Sequence, residues 1–137
     1  MAAQRVQRSG FPSAYAVYEP DARALASALT GFSPAAFACH LGSSSRTSAP
    51  AARRAAALRR TLAPAFGTVE VSVAEGSRLQ IAAPSSPQGW AMASYLVSHA
   101  PGLGLRQVGF DGRDWSVDSA QGWRRGGSAP GSSVMVG

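Results

Sequence analysis

The chain has 137 residues, and 13 arginines against 7 acidic residues give it a formal charge of +6 and a pI near 11.0, which favour an anionic partner such as nucleic acid, anionic lipid or a wall polymer. No apolar run of about 18 residues predicts a membrane span, and the first residues lack the apolar core of a secretory signal. A single cysteine, Cys39, excludes an internal disulfide, and with only His40 and His99 beside it the sequence offers no cysteine–histidine zinc cluster.

The first predicted helix lies in "YAVYEPDARALASALTG". Pro20 suits the first turn of a helix and Gly31 can terminate it. One face of this helix is apolar and needs a partner surface; it consists of Ala24, Leu25, Ala28 and Leu29. Residues 32–49 are rich in turn formers and end in a Ser/Thr run, which predicts a linker.

A second helix is predicted from about Pro50 to Ala63, with Ser48 as its cap. Its apolar stripe consists of Ala51, Ala55, Leu58 and Leu62. The opposite side carries Arg53, Arg54, Arg59 and Arg60. These four arginines could bind phosphates, or they could form an ordinary solvated helix face.

From Thr68 onward the apolar period changes to two, which predicts strands. The first strand alternates Val69, Val71 and Val73 with polar residues, "EGS" forms a turn, and the return strand carries Leu79, Ile81 and Ala83 on one face. A third helix follows in "SSPQGWAMASYLVSHAPGLG". For this helix Ser86 is predicted as the cap, Pro87 as a first-turn residue, and Pro101 with Gly102 as the stop.

The segment "LRQVGFDGRDWSV" predicts a second hairpin, because Asp111-Gly112 is a pair that accepts positive φ at both turn positions. Val108 and Phe110 should meet Trp115 and Val117 across this ladder. The terminal "VMV" could add a final edge strand.

These elements predict an α+β fold with a small, mainly antiparallel sheet packed against one or two helices. The predicted boundaries are a helical arm over 1–31, a Ser/Pro/Ala-rich linker over 32–49, the α+β domain over 50–125 and a flexible tail over 126–137 that can add the final strand. Everything before residue 50 is expected to be detachable from the domain.

The run "GWAMASYLVSHAPGLGLRQVGFDGRDWS" with the later "GW" resembles the C-terminal domain of secreted actinobacterial and fungal proteins that is distantly similar to D-alanyl-D-alanine carboxypeptidase-like zinc peptidases. The resemblance extends from Thr68 to the C terminus. In that family one strand bears a His-to-Asp metal motif and the closing strand carries Asp-His-x-His. The corresponding segments here are "EGSRLQIAAP" and "SSVMVG", which lack those ligands. The resemblance therefore implies a peptidase-like fold that has lost its zinc chemistry, and we expect no cofactor.

The N-terminal segment "VQRSGFPSAYAVYEPDARALASAL" resembles the last helices of the lysozyme-like domain found upstream of such C-terminal domains. The catalytic Glu of that domain would lie before Met1. The two resemblances imply an extracellular or cell-envelope protein, although the chain as written shows no signal peptide. A chain with no Lys and no Asn is also typical of a high-GC bacterial coding sequence.

The leading hypothesis for function is non-catalytic association with the bacterial cell wall. Its contact patch for anionic glycan or peptide is predicted to consist of Trp123, Arg124, Arg125 and Arg113. Helical periodicity and strand alternation place Trp90 and Trp115 in the core, whereas Trp123 is predicted to be partly exposed.

Three further expectations belong to other classes. The four arginines of the second helix could bind nucleic acid or another polyanion, although no aromatic residues are interleaved with them. A cryptic hydrolase could use an acid pair drawn from Asp111, Asp114 and Asp118. Finally, an N-terminal arm without a covering domain is expected to form a homodimer through its apolar residues, which are Leu25, Leu29, Phe32 and Phe37.

Overall fold

The structure is a computed structural model and describes residues 14–41 and 49–137. Its helices are α1 (Glu19–Leu29), which follows a short 3-10 turn at Ala16–Tyr18, α2 (Ala51–Phe66) and α3 (Ser86–Leu103). Its strands are β1 (Val71–Val73), β2 (Leu79–Ala82), β3 (Gln107–Phe110), β4 (Arg113–Ser116), β5 (Arg124–Arg125) and β6 (Ser133–Val136). A 3-10 turn at Glu75–Ser77 joins β1 to β2. The predicted α+β class is confirmed.

All six strands join one antiparallel sheet in the order β1-β2-β6-β3-β4-β5. The β1–β2 and β3–β4 hairpins are both present as predicted, and Val108 lies opposite Trp115 in the second. The predicted partners of Phe110 are wrong: the two-residue turn sets Phe110 opposite Arg113, and Val117 lies beyond the end of β4. The turn of that hairpin has φ of 48° at Asp111 and 70° at Gly112. These are the positive values that a two-residue hairpin turn of this kind requires.

One face of the sheet is apolar and is covered by α2 and α3. The side chains buried on it are Val71, Leu79, Ile81, Val134, Val136, Val108, Phe110 and Trp115. The opposite face has a row that crosses every strand and is small or polar except at Met135: Ser72, Gln80, Met135, Gly109, Asp114 and Arg124. The sheet therefore has one core face and one outer face, as alternating strands produce.

The three helices follow the predicted patterns, with differences at their ends. Helix α2 continues past Ala63 to Phe66, and the predicted cap Ser48 lies outside the described residues. In α3 the cap is Ser85 instead of Ser86, because the Ser85 hydroxyl accepts a hydrogen bond from the Gln88 N–H at 3.3 Å. Pro101 and Gly102 lie inside the last turn of α3, and a left-handed Gly104 ends it.

Strand predictions need two corrections. Val73 is 60% exposed, at the end of the edge strand β1. The terminal strand β6 is not an edge strand: it lies in the middle of the sheet, hydrogen-bonded to β2 on one side and β3 on the other. A short apolar triplet predicts a strand but carries no information on its neighbours, so the position of β6 could not be predicted from it.

Residues 14–41 pack on the sheet domain at several points. Helix α1 contacts α3, and the buried Ser94 hydroxyl donates a hydrogen bond to the Ala28 carbonyl at 3.4 Å. A Cβ on Gly31 would lie 1.7 Å from the carbonyl oxygen of Pro87, so only glycine permits this approach. The boundaries of the arm, linker, domain and tail remain predictions.

Candidate functional site

The strand register brings three of the four predicted wall-binding residues together at one sheet edge. Arg113 of β4 lies directly opposite Arg125 of β5, and Arg124 lies opposite Asp114. Because β5 ends the sheet, Arg124 and Arg125 are exposed. Within the described chain, none of the guanidinium groups of these three arginines has a hydrogen-bond or ion-pair partner. We call Arg113, Arg124 and Arg125 the basic edge.

The fourth predicted residue, Trp123, has a structural role next to the basic edge. Its ring packs edge-on against Trp90 with centroids 5.2 Å apart, and its Nε1–H donates to the Phe37 carbonyl at 2.7 Å. The side chain is partly buried, whereas Trp90 and Trp115 are fully buried as predicted. The polar atom of the Trp123 indole is thus engaged inside the protein, and only part of the ring can face a ligand.

The four arginines of α2 do not form one uniform face. Arg54 donates to the Ser77 carbonyl at 3.2 Å, and Arg59 donates to the Val71 carbonyl at 2.6 Å. These two side chains tie the helix to the β1–β2 hairpin. Arg53 and Arg60 are exposed, and in the parts of the chain that the structure describes neither has such a partner. The surface available to a polyanion on α2 is therefore narrower than four arginines suggest.

The three aspartates near the second hairpin have separate environments. Asp111 forms the turn, while Asp118 accepts a hydrogen bond from Arg106 at 2.6 Å. Asp114 lies on the outer face against Gly109 and Gly127, and its Oδ1 is buried without a hydrogen-bond partner. No acid pair is evident from these contacts.

The two strands that correspond by resemblance to metal-bearing segments, β2 and β6, lie side by side. Their outward side chains include Gln80 and Ser133, which are hydrogen-bonded at 2.9 Å. Zinc is held by histidine, cysteine or carboxylate groups, so this donor set does not fit a zinc ion. Over residues 14–41 and 49–137, no group of three or more His, Cys, Asp or Glu side chains could hold a metal.

A second basic site was missed by the sequence analysis. A cleft of about 520 Å³ opens at the end of the β3–β4 hairpin away from its turn. Three of its lining side chains are Arg54, Arg78 and Arg106, which are far apart in the sequence. No periodic or local pattern links these positions, so no sequence signal could have grouped them. We call this set the arginine cleft.

Comparisons with known proteins identify no relative of this chain. No family model, no curated protein and no solved structure matches the chain. None of the helices within the described residues is long and apolar enough to cross a membrane. The fold and the sites together define an α+β domain with a basic sheet edge and a separate arginine cleft.

Proposed function

We propose that the protein is a non-catalytic accessory domain of the bacterial cell envelope that binds an anionic wall polymer through the basic edge. The observation that carries this proposal is the register that sets Arg113 directly opposite Arg125. Like charges directly opposite each other on neighbouring strands destabilise a sheet. An anionic group bound between the two guanidinium groups would remove this repulsion. Arg124 lies opposite Asp114 on the other face of the sheet and adds positive charge to the same edge.

The choice of a wall polymer as the anion rests on the sequence resemblance. Residues from Thr68 onward resemble a domain of secreted actinobacterial proteins, and an extracellular or envelope location belongs to the same proposal. Wall glycans and peptides present carboxylate and phosphate groups, which arginine binds in bidentate geometry. The absence of zinc-type ligands on β2 and β6 supports a binding role over a peptidase role.

A polyanion such as nucleic acid is the alternative ligand, and it would use α2. Arg53 and Arg60 lie seven residues apart, which places them on the same side of a helix two turns apart. Each phosphate that is neutralised adds to the salt dependence of binding, so a contact made through many phosphates weakens steeply with salt. A nucleic acid bound through α2 should therefore lose affinity steeply with salt and should depend on Arg53 and Arg60, whereas a wall polymer should depend on the basic edge.

The test is co-sedimentation with insoluble peptidoglycan at low and high salt, with heparin beads as the polyanion control. The variant Arg113→Gln/Arg125→Gln removes two charges from the basic edge. The matched variant Arg53→Gln/Arg60→Gln removes two charges from α2. We expect the edge variant to lose retention on peptidoglycan at low salt while the α2 variant keeps it. High salt should weaken the retention of the unaltered protein, because exposed charges form the contact.

Two results would contradict the wall-binding proposal. Equal loss in both variants would mean that net charge alone controls retention. Retention on heparin only, abolished by salt and by the α2 variant, would identify a general polyanion-binding protein. Trp123→Ala is a poor probe here, because loss of its contacts with Trp90 and Phe37 would perturb the fold as well as the surface.

We also propose that the protein forms a homodimer through the apolar surface of α1. Leu25 is 48% exposed, Leu29 is 39% exposed and Phe32 is 75% exposed, whereas Phe37 packs partly against the core. Sedimentation equilibrium should show a dimer that Leu25→Ser/Phe32→Ser converts to a monomer. A monomer of the unaltered protein over a wide concentration range would refute the dimer.

A further inference from the structure

The arginine cleft collects positive charge from three separate elements. Arg54 comes from α2, Arg78 from the residue before β2, and Arg106 from the residue before β3. The lining side chains carry three positive charges and one negative charge, that of Asp118. The side chains of the cleft therefore carry an excess of positive charge. The fold, and not a periodic pattern in the sequence, brings these charges together.

The wall of the cleft formed by the 3-10 turn is held in a fixed conformation. Gly76 and Ser77 both have φ of 65°, and a positive φ is uncommon for a residue with a side chain. Arg54 donates a hydrogen bond to the Ser77 carbonyl and so fastens this turn to α2. The same contact places the Arg54 guanidinium at the cleft.

Arg78 provides the observation that points to a ligand. Its Nε and one of its Nη atoms are buried and have no hydrogen-bond partner in the described chain. Buried polar groups in folded proteins nearly always have a partner, and a charged donor without one is especially unfavourable. These two donors have almost no solvent-accessible surface where they lie. A rotation of the Arg78 side chain that turns them toward an anion in the cleft would therefore give them the partners that they lack.

Arg106 is placed by an ion pair. Its Nη2 atom donates to Asp118 at 2.6 Å, and 28% of the Arg106 side chain is exposed against 70% for Asp118. The carboxylate thus lies toward solvent and orients the guanidinium group from the outside. Ser116 and Gln107 add neutral hydrogen-bonding groups to the lining.

We infer that the arginine cleft is a binding site for a small oxyanion of the phosphate type, either free or as a phosphomonoester. Arginine presents a planar fork of donors that matches the oxygens of a phosphate group. The volume of about 520 Å³ lies within the range of small-molecule sites and leaves room for a polar group attached to the phosphate. This site is independent of the proposed function, since none of its lining residues belongs to the basic edge.

The test is isothermal titration calorimetry of the full chain with inorganic phosphate and with glycerol phosphate. Glycerol and sodium chloride at matched ionic strength are the controls. Arg78→Met keeps an unbranched apolar stem but removes the guanidinium fork, and we expect at least about a tenfold loss of affinity for both phosphates. Arg60→Gln removes one charge outside the cleft and should bind like the unaltered protein.

Thermal unfolding supplies a second readout that separates the ligand site from a merely structural arginine. In phosphate-free buffer Arg78→Met should melt no lower than the unaltered protein, because it removes a buried donor that had no partner. Addition of phosphate should then raise the midpoint of the unaltered protein and not that of the variant. Ser116→Asp leaves all three arginines in place and should also weaken phosphate binding, by repulsion.

Several results would overturn the inference. These are no binding heat with either phosphate, equal affinity in Arg78→Met and the unaltered protein, or the same stabilisation by chloride. If Arg78→Met does not fold, Ser116→Asp decides the matter, and unchanged affinity in that variant would refute the site. Phosphate binding that survives Arg113→Gln/Arg125→Gln would show that the cleft stands whether or not the basic edge binds a wall polymer.

Discussion

Two tryptophans fasten the segment before α2 to the sheet, and this arrangement makes a strong prediction. The Nε1–H of Trp123 donates to the Phe37 carbonyl at 2.7 Å, and the Nε1–H of Trp115 donates to the Cys39 carbonyl at 3.1 Å. Trp123→Phe keeps a ring against Trp90 but removes one of these two hydrogen bonds. We expect this variant to be less stable than the unaltered protein and to loosen the segment locally.

The magnitude follows from the bond and the lost ring volume. A hydrogen bond of this kind contributes about 0.5–1.5 kcal/mol net, and the smaller ring adds a packing loss at a partly buried position. The free energy of unfolding should therefore fall by about 1–2 kcal/mol in Trp123→Phe. For a chain of this length the midpoint of thermal unfolding should fall by roughly 3–7 °C.

Two measurements test this prediction. Urea unfolding gives the change in stability, and hydrogen exchange of the native protein reports on the backbone amides of residues 36–41. Amide exchange in this segment should be faster in Trp123→Phe than in the unaltered protein, while exchange in α3 is unchanged. Arg124→Gln, at the neighbouring exposed position, is the control and should lie within about 0.5 kcal/mol of the unaltered protein. An unfolding midpoint and exchange pattern in Trp123→Phe equal to those of the control would refute the reasoning.

Three further predictions concern the arm, the core and a helix ion pair. Gly31→Ala should detach α1 from α3, because its Cβ would overlap the Pro87 carbonyl oxygen, and limited proteolysis should then cleave the arm sooner. Leu58→Ala, at a buried position on α2, should cost about 2–5 kcal/mol by urea unfolding. The hydrogen bond and charge of Arg23 lower the pKa of Glu19, so the pair stabilises α1 above the ordinary carboxylate pKa and is lost as pH falls through the lowered value. An NMR titration should show the Glu19 pKa return toward its ordinary value in Arg23→Gln.

The elements that depend on local pattern could be predicted from the sequence. The Asp111-Gly112 turn sets its own hairpin, because both residues accept the positive φ that the turn needs. The two-residue length of this turn sets the register, so that Trp115 falls opposite Val108. The helices could be predicted because their apolar residues recur at the helical period. Local residues also decide the helix ends to within a turn.

Features that depend on distant contacts could not be predicted. Strand β6 lies between β2 and β3 because the chain crosses the end of the β3–β4 hairpin, where the Gly112 N–H donates to the Ala129 carbonyl at 2.8 Å. The carbonyls of Phe37 and Cys39 accept hydrogen bonds from indole N–H groups more than 70 residues away, and no sequence pattern predicts these contacts either. These contacts bring Phe37 and Cys39 of the predicted linker onto the core, although the composition of this stretch is rich in turn formers.

The basic edge also depends in part on local sequence and in part on distant contacts, and the part that depends on distant contacts indicates its role. Arg124 and Arg125 are adjacent in the sequence, but only the register of β5 on β4 brings Arg113 opposite Arg125. Short, charged edge strands protect a sheet from pairing with other chains, and a single pair of arginines on β5 would serve that purpose. Edge protection does not require a third arginine directly across the ladder, where it adds repulsion. A local arrangement that opposes stability without serving the fold is most often found at functional sites. For that reason the Arg113–Arg125 pair, and not the positive charge of the chain as a whole, supports a binding role for this edge.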